Sequence, residues 1–435
     1  LATANRVAAA QARAIALGAA RAVLVLGDEL PKDAVPLGDG AFWLLQANLE
    51  DDRTYTYGIT DECGKVNLNS APRDILLRLP GMDESLVDAI LDWRDSDDQT
   101  ELYGAESDYY LLLPDPYLCK NGPFETVEEL LLVRDFTPFE LYGEDMNRNG
   151  ILDDNENDAD ESFPPDNQDG KLDRGIFDFV TVYSKTSLKN RVNLGQSGKP
   201  GGAKSPSPAP KQLKGQSGVQ SVEQQLRKVI KELADEGLLP QDRVGPVTQA
   251  LLNARPARNL VELYIKSGLK LEEFNAVASK ITTWTGEEKI GLINVNTAPK
   301  EVLMALPGIE EAEADSLISY RLNAGEEKEG EDGTNALSSV AWVAEVLDRE
   351  KAIRIGDFIT TESSQHSVDI VAVSGDGRAF ERYRMVYDTS GDSPKILLWQ
   401  RLTHLGWPLD PEILEALKAG LSVEDLPRTT DRGSY

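Results

Sequence analysis

Cysteine and histidine are almost missing from this chain, with two of each in 435 residues. Cys63 and Cys119 have no CxxC spacing, and His366 and His404 stand in no catalytic motif, so zinc ligation and thiol–histidine catalysis have no basis. A phosphate loop, a GxSxG elbow and an HExxH helix are absent as well, which leaves no positive case for an enzyme. No stretch of ~18 consecutive apolar residues, the length that spans a bilayer, is present. Basic side chains are outnumbered: 45 Lys and Arg face 74 Asp and Glu, a formal charge of -29. Such a surface repels phosphate polymers and acidic membranes. The first residue is Leu1, so a processed or truncated product is expected, with an N-terminal targeting or anchoring segment removed. In an oxidising compartment the two cysteines can pair; two isolated thiols fit equally well.

What the chain does have is a repeat. The segment GKVNLNSAPRDILLRLPGMDESLVDAILDWR at 64–94 returns as GLINVNTAPKEVLMALPGIEEAEADSLISYR at 291–321, with twelve identities that include Asn67/Asn294, Asn69/Asn296, Pro72/Pro299 and Arg94/Arg321. A repeat of this kind is one supersecondary unit used twice. Alternation in Val66–Asn69 and Ile293–Asn296 predicts a short strand whose asparagines bond to backbone. Ser70 or Thr297 is the expected cap of the helix that follows. Ile75, Leu76 and Leu79, like Val302, Leu303 and Leu306, then fall at helical spacing. Pro80-Gly81 ends that helix, and a second one carries Leu86, Ala89, Ile90 and Trp93 to Arg94.

This pattern predicts a helix-hairpin-helix, a unit familiar in DNA binders, where turn N–H groups meet phosphate. Here carboxylates stand at that place: Asp83 and Glu84 in the first copy, Glu310 and Glu311 in the second. The second copy holds five acidic residues (Glu301, Glu310, Glu311, Glu313, Asp315) against Lys300 and Arg321. A protein-packing module is therefore the expectation, with no nucleic-acid partner.

Elsewhere, 5–30 reads as an alanine-rich helix with a stripe of Val7, Ala10, Ala14, Leu17, Arg21 and Leu24. Strands are expected at 41–48 and 53–60, and Thr126 with Glu129 forms a capping-box pattern. The stretch 195–218, rich in Gly, Ser, Pro and Lys, reads as a linker. Helices are expected from 222 to 282, and 358–373, 379–387 and 395–402 alternate as an antiparallel meander. Residues 409–435 read as a short helix and a mobile polar tail.

One loop matches the twelve-residue calcium pattern position by position. Asp145, Asn147, Asn149, Asp153 and Glu156 supply oxygens at positions 1, 3, 5, 9 and 12, the Ile151 carbonyl serves at 7, and Gly150 sits at 6. Ca²⁺ takes six to eight oxygens at ~2.3–2.6 Å, which this spacing can wrap around an ion. A weaker echo, with Asp166, Asp169 and Asp173, lacks a first ligand and a terminal glutamate. Asp95, Asp97, Asp98 and Glu106 form a third acidic cluster. Calcium loops of this kind suit a structural role outside the cytoplasm, where free calcium is high.

YGITDECGKVNLNSAP (57–72), AILDWRDSDD (89–98), GAESDYY (104–110), the PY and NGPFETVEELLLV run (116–133) and INVNTAP (293–299) together resemble the minor pseudopilin GspK family of type II secretion systems. INVNTAP followed by LPGI also resembles competence DNA receptors of the ComEA type. The GspK resemblance implies an α+β fold: a pilin-like N-terminal helix and antiparallel sheet, with a large inserted helical domain containing two helix-hairpin-helix (SAM-like) repeats. The implied division is 1–63 for the helix and first strands, 64–140 for the first hairpin lobe and 141–194 for the calcium-loop region. It continues with 195–220 as linker, 221–290 as helical insertion, 291–350 as second lobe, 351–408 as C-terminal strands and 409–435 as tail. A non-enzymatic, calcium-associated subunit at the tip of a periplasmic pseudopilus is implied, anchored in the inner membrane through a segment absent here. Its implied partners are other minor pseudopilins, with secreted proteins as further candidates. Ser107 stands where the family often has aspartate, and 145–156 and 195–285 look like additions of this lineage. An extracellular calcium-binding adhesion module is the remaining alternative.

Overall fold

The computed structural model describes residues 2–29, 33–49, 51–159, 161–195, 221–326 and 336–422. The linker expected at 195–218 and the end of the tail therefore fall almost wholly outside the described residues. The chain divides into two bodies, the first made of Leu1–Lys185, Thr297–Ala305 and Glu362–Tyr435, the second of Thr186–Asn296 and Leu306–Thr361.

In the first body a long helix, α1 (Ala2–Leu26), lies on an antiparallel sheet. The sheet's main path runs β1 (Val35–Leu37), β2 (Gly40–Gln46), β3 (Gln365–Val373), β4 (Phe380–Asp388) and β5 (Lys395–Arg401). Strand alternation sorts side chains to opposite faces. Phe42, Leu44, Ile370 and Met385 meet Ile15, Ala16, Ala19 and Val23 of α1. On the other face Ala41, Trp43, Val371 and Val373 meet Ile413 and Leu417. Those two residues belong to the helix at Pro411–Lys418, which is the short helix expected after 409; its apolar side closes the second sheet face.

The stripe expected on α1 is on the wrong side. Its buried residues are Ala8, Ala12, Ile15, Ala16, Ala19, Ala20 and Val23, whereas Val7, Leu17 and Val25 are exposed. Small residues let the helix axis approach the sheet, and this outweighs burying the larger side chains on the opposite side. By length and composition α1 could cross a membrane. The strand expected over 53–60 shrinks to the pairs Thr56–Tyr57 and Thr60–Asp61.

The repeat has a structural signature that its sequence alone does not display. In the first copy Val66-Asn67 pairs in parallel with Val180-Thr181. The Val66 N–H donates to Phe179 O at 2.8 Å and the Leu68 N–H to Thr181 O at 2.9 Å. Ile293-Asn294 pairs identically with Ile359-Thr360, through Phe358 O and Thr360 O. The same bridge recurs a third time, in Val192-Asn193 with Ile281-Thr282, through Lys280 O and Thr282 O. In each copy the strand asparagine (Asn67, Asn193, Asn294) accepts the N–H two residues on, at 2.8–3.0 Å. The helices expected between 222 and 282 are there, and this third bridge joins the strand before them to the one that follows. These helices, Val222–Asp235, Val244–Asn253, Leu260–Ser267 and Leu271–Ala278, bury Leu226, Ile230, Leu251, Leu263 and Phe274 together.

In the first copy the expected cap is not used: Pro72 occupies the N-cap of the Arg73–Leu76 helix with no side-chain bond. In the second copy the Thr297 hydroxyl donates to Asp61 Oδ2. Thr126 caps nothing, because Glu129 is taken by Trp93 Nε1 and Lys120. The terminal arginine of the first copy does what its invariance between copies suggests: Arg94 donates to the carbonyls of Leu68 and Ala71, tying helix to strand. Arg321 does the same to Val295 O.

Candidate metal centres

The loop 145–156 is held in shape by its own N–H groups. The buried Asp145 carboxylate accepts from Asn149 N at 3.0 Å and Gly150 N at 2.9 Å. Gly150 has φ +73°, the sharp turn that position six requires. Asn147 and Asn149 each donate to Asp153 Oδ2, and Asn149 Oδ1 accepts the Ile151 N–H. Glu156 closes the loop through Oε2 to Asp153 N at 3.1 Å, while its buried Oε1 meets no donor. Burial and the neighbouring Asp145 push Glu156 up to about 8; burial and Asp178 push Asp145 up to about 6. Both shifts report carboxylates short of positive charge.

Two guanidinium groups fix the loop from behind. Arg382 of β4, wholly buried, donates to Asn147 O at 2.7 Å, to Arg148 O, and to Asp369 at 3.1 Å. Arg174 donates to Gly150 O at 3.0 Å and Asn48 O at 2.6 Å. A cavity of about 180 Å³ opens beside the loop, with Asp145, Arg148, Asn149 and Arg174 in its wall.

The weaker loop repeats five bonds of the first, two of them through substitutes that sequence order hides. Asp169 N donates to Asn167 Oδ1, Lys171 N to Asp169 Oδ1, and Asn167 Nδ2 to Asp173 Oδ2. The Gly170 N–H, which should find a first-position oxygen, goes to Asn157 Oδ1 at 3.1 Å. The Asp173 N–H, which should find a terminal glutamate, goes to Glu144 Oε2 at 2.9 Å. Asp166 stays outside this set and caps Asp158 N and Gln168 N. Both loops hang on one residue: Leu152 N donates to Asp52 O and Leu172 N to Asp52 Oδ2.

The third cluster is redrawn. Asp97 and Asp98 turn outward, to Gln99 N and Asn121 Nδ2. The residue that joins Asp95 and Glu106 is Asp92, and one oxygen from each of the three lies within 4.8 Å of the others. Asp92 and Asp95 lie three apart at the end of the Glu84–Arg94 helix, a same-face spacing that could have found the pair. Gly104 makes the approach possible, since a Cβ there would stand 1.9 Å from Asp92 Oδ2. Glu106 is 4 % exposed and neither of its oxygens meets a donor. Burial, reinforced by the charge of Asp92, pushes it up to about 7; burial pushes Asp92 to about 6. A hard divalent cation is the group that three converging carboxylates with two unmet oxygens fit. Cys63 and Cys119 are buried free thiols, raised by burial to about 11 and about 12, and so are poor thiolate ligands.

Comparison with known proteins covers both copies of the repeat. Residues 67–142 match the first-domain family model of type II secretion system protein K, and residues 293–337 match a second model of protein K. No curated protein matches the chain. Among solved structures it is similar to a chain of the GspK-GspI-GspJ complex from the enterotoxigenic Escherichia coli type 2 secretion system. That likeness has 12 % identity and a TM-score of 0.40, covering 90 % of this chain and 93 % of the other. Both matches, in chain order around the repeats, are to protein K of the type II secretion system.

Proposed function

We propose that this protein is a non-enzymatic minor pseudopilin, stabilised by calcium, that works at the tip of a periplasmic pseudopilus and is anchored in the inner membrane. The observation that carries the reading is the pair of protein K matches, at 67–142 and 293–337. The related complex joins GspK to GspI and GspJ, and by that kinship other minor pseudopilins are the partners proposed here. The repeats serve as helix-hairpin-helix modules turned to protein packing. In the first, the N–H groups that would meet phosphate are already taken, because Asp83 accepts from Ser85 N and Leu86 N at 2.8 and 3.0 Å. Calcium is assigned to Asp92, Asp95 and Glu106 and to the loop of Asp145, Asn147, Asn149, Ile151, Asp153 and Glu156. The second loop, with Asn157, Asn167, Asp169, Asp173 and Glu144, is the weakest of the three.

Co-purification from cells expressing the neighbouring minor pseudopilin genes tests the assembly role. Recovery of a stoichiometric complex is expected. Failure to recover one, together with tight duplex-DNA binding in a low-salt shift assay, would overturn it in favour of a nucleic-acid receptor.

A further inference from the structure

The first body carries a leucine-rich surface that the metal centres do not use. Leu111 (51 %), Leu112 (87 %), Leu118 (65 %) and Leu132 (48 %) are exposed, with Leu131 and Tyr109 beside them. They come from three chain segments brought together on one aromatic floor. Tyr110, wholly buried, stacks on Tyr117 at 5.2 Å and meets Tyr109 edge-on. Tyr117 donates its hydroxyl to Leu132 O at 2.7 Å, and Arg134 N donates to the Tyr110 hydroxyl at 3.1 Å. This bonding sets the leucines on a rigid base, which lowers the entropy lost when a partner covers them.

We propose that this face docks a basic amphipathic helix of another protein. Charge selects that occupant. Between 101 and 140 nine carboxylates face two cations, Lys120 and Arg134. Both cations are already paired, Lys120 with Glu129 at 2.7 Å and Arg134 with Asp135 at 3.2 Å. Asp108, Asp115 and Glu125 are exposed at the surrounding surface. A second copy of a chain with charge -29 would meet like charge, and an anionic lipid surface would be repelled in the same way. A helix with apolar residues at i, i+3, i+4 and i+7 and lysines on its flanks answers both the leucines and the rim. The proposal stands apart from the pseudopilus reading, because it uses only the chemistry of this face.

The probe is a short synthetic helical peptide with leucines on one face and lysines on the other, paired with a version carrying glutamates in place of lysines. Fluorescence anisotropy with the full chain should show binding of the lysine peptide, weakening as salt rises, and none of the glutamate peptide. Leu112→Ser with Leu132→Ser, which leaves every charge in place, should weaken binding by about tenfold or more. Equal binding of the lysine peptide to both proteins would overturn the proposal, since the acidic surface alone would then suffice. So would no binding, leucine-dependent self-association in sedimentation, or leucine-dependent capture by phosphatidylglycerol vesicles. Circular dichroism confirms folding of the double variant; if it fails to fold, Leu112→Ser alone, at the most exposed position, takes its place.

Discussion

The loop at 145–156 and the cluster of Asp92, Asp95 and Glu106 place carboxylates in the interior by opposite means. The loop is contiguous and nearly self-satisfied: its N–H groups occupy Asp145, Asn147, Asn149 and one oxygen of Glu156. The cluster comes from a helix end and a separate turn, and leaves both Glu106 oxygens unmet. A site that bonds itself keeps its shape without an ion. A site with buried unmet oxygens carries a desolvation cost that a cation relieves. Calcium should therefore matter more to stability at the cluster than at the loop.

The largest test breaks the loop's attachment. Arg382→Met leaves the Asn147 and Arg148 carbonyls and Asp369 without their donor. We expect a loss of about 3 kcal/mol in denaturant unfolding, with calcium binding at the loop weakened and the cluster untouched. Next comes the ion itself. Adding Ca²⁺ after chelation should raise the thermal midpoint, with about 2.7 kcal/mol gained at a hundredfold excess over Kd. Glu106→Gln should remove more of that rise than Asp145→Ala with Glu156→Ala; the reverse order would sink the comparison.

The third test is pH. Glu106 ordinarily titrates near 4.5 and is held near 7 in the fold, so the folded state keeps a proton that the unfolded chain has lost. Without cation, this group makes stability fall as pH rises from about 4.5 to about 7 and level off above, by about 1–3 kcal/mol. Glu106→Gln should flatten that slope in urea titrations at stepped pH, as should saturating Ca²⁺. The smallest effect is expected at Asp97→Asn with Asp98→Asn. Both side chains face outward, and the change in stability or in calcium response should stay within about 0.5 kcal/mol.

Legibility followed the range of the interaction. Periodicity found the helices at 222–235 and 244–253 and the strands at 365–373 and 380–388, because each side chain's fate there depends on neighbours a turn or a pleat away. It failed on α1, where alanine offers no contrast and the sheet selects the small-residue face. It found a short helix after 409 but not its docking, because Ile413 and Leu417 of Pro411–Lys418 gain meaning only from the sheet beneath them. The loop at 145–156 was readable because its internal bonds join residues at most six apart. Asp92, Asn157 and Glu144 were not.

Residue order alone established an acidic protein, a segment used twice and a twelve-residue oxygen loop, since all three are properties of composition or of short spacing. The third parallel bridge, the substitutes in the second loop and the replacement of Asp97 and Asp98 by Asp92 came from the tertiary structure. Those pairings close between residues that are distant in the chain or out of motif order, and the partner of a backbone N–H or a carboxylate is then decided by which atoms packing brings within about 3 Å. The segments that carry the exposed leucines are likewise joined through space, by the Tyr110–Tyr117 stack and the bond from the Tyr117 hydroxyl to Leu132 O.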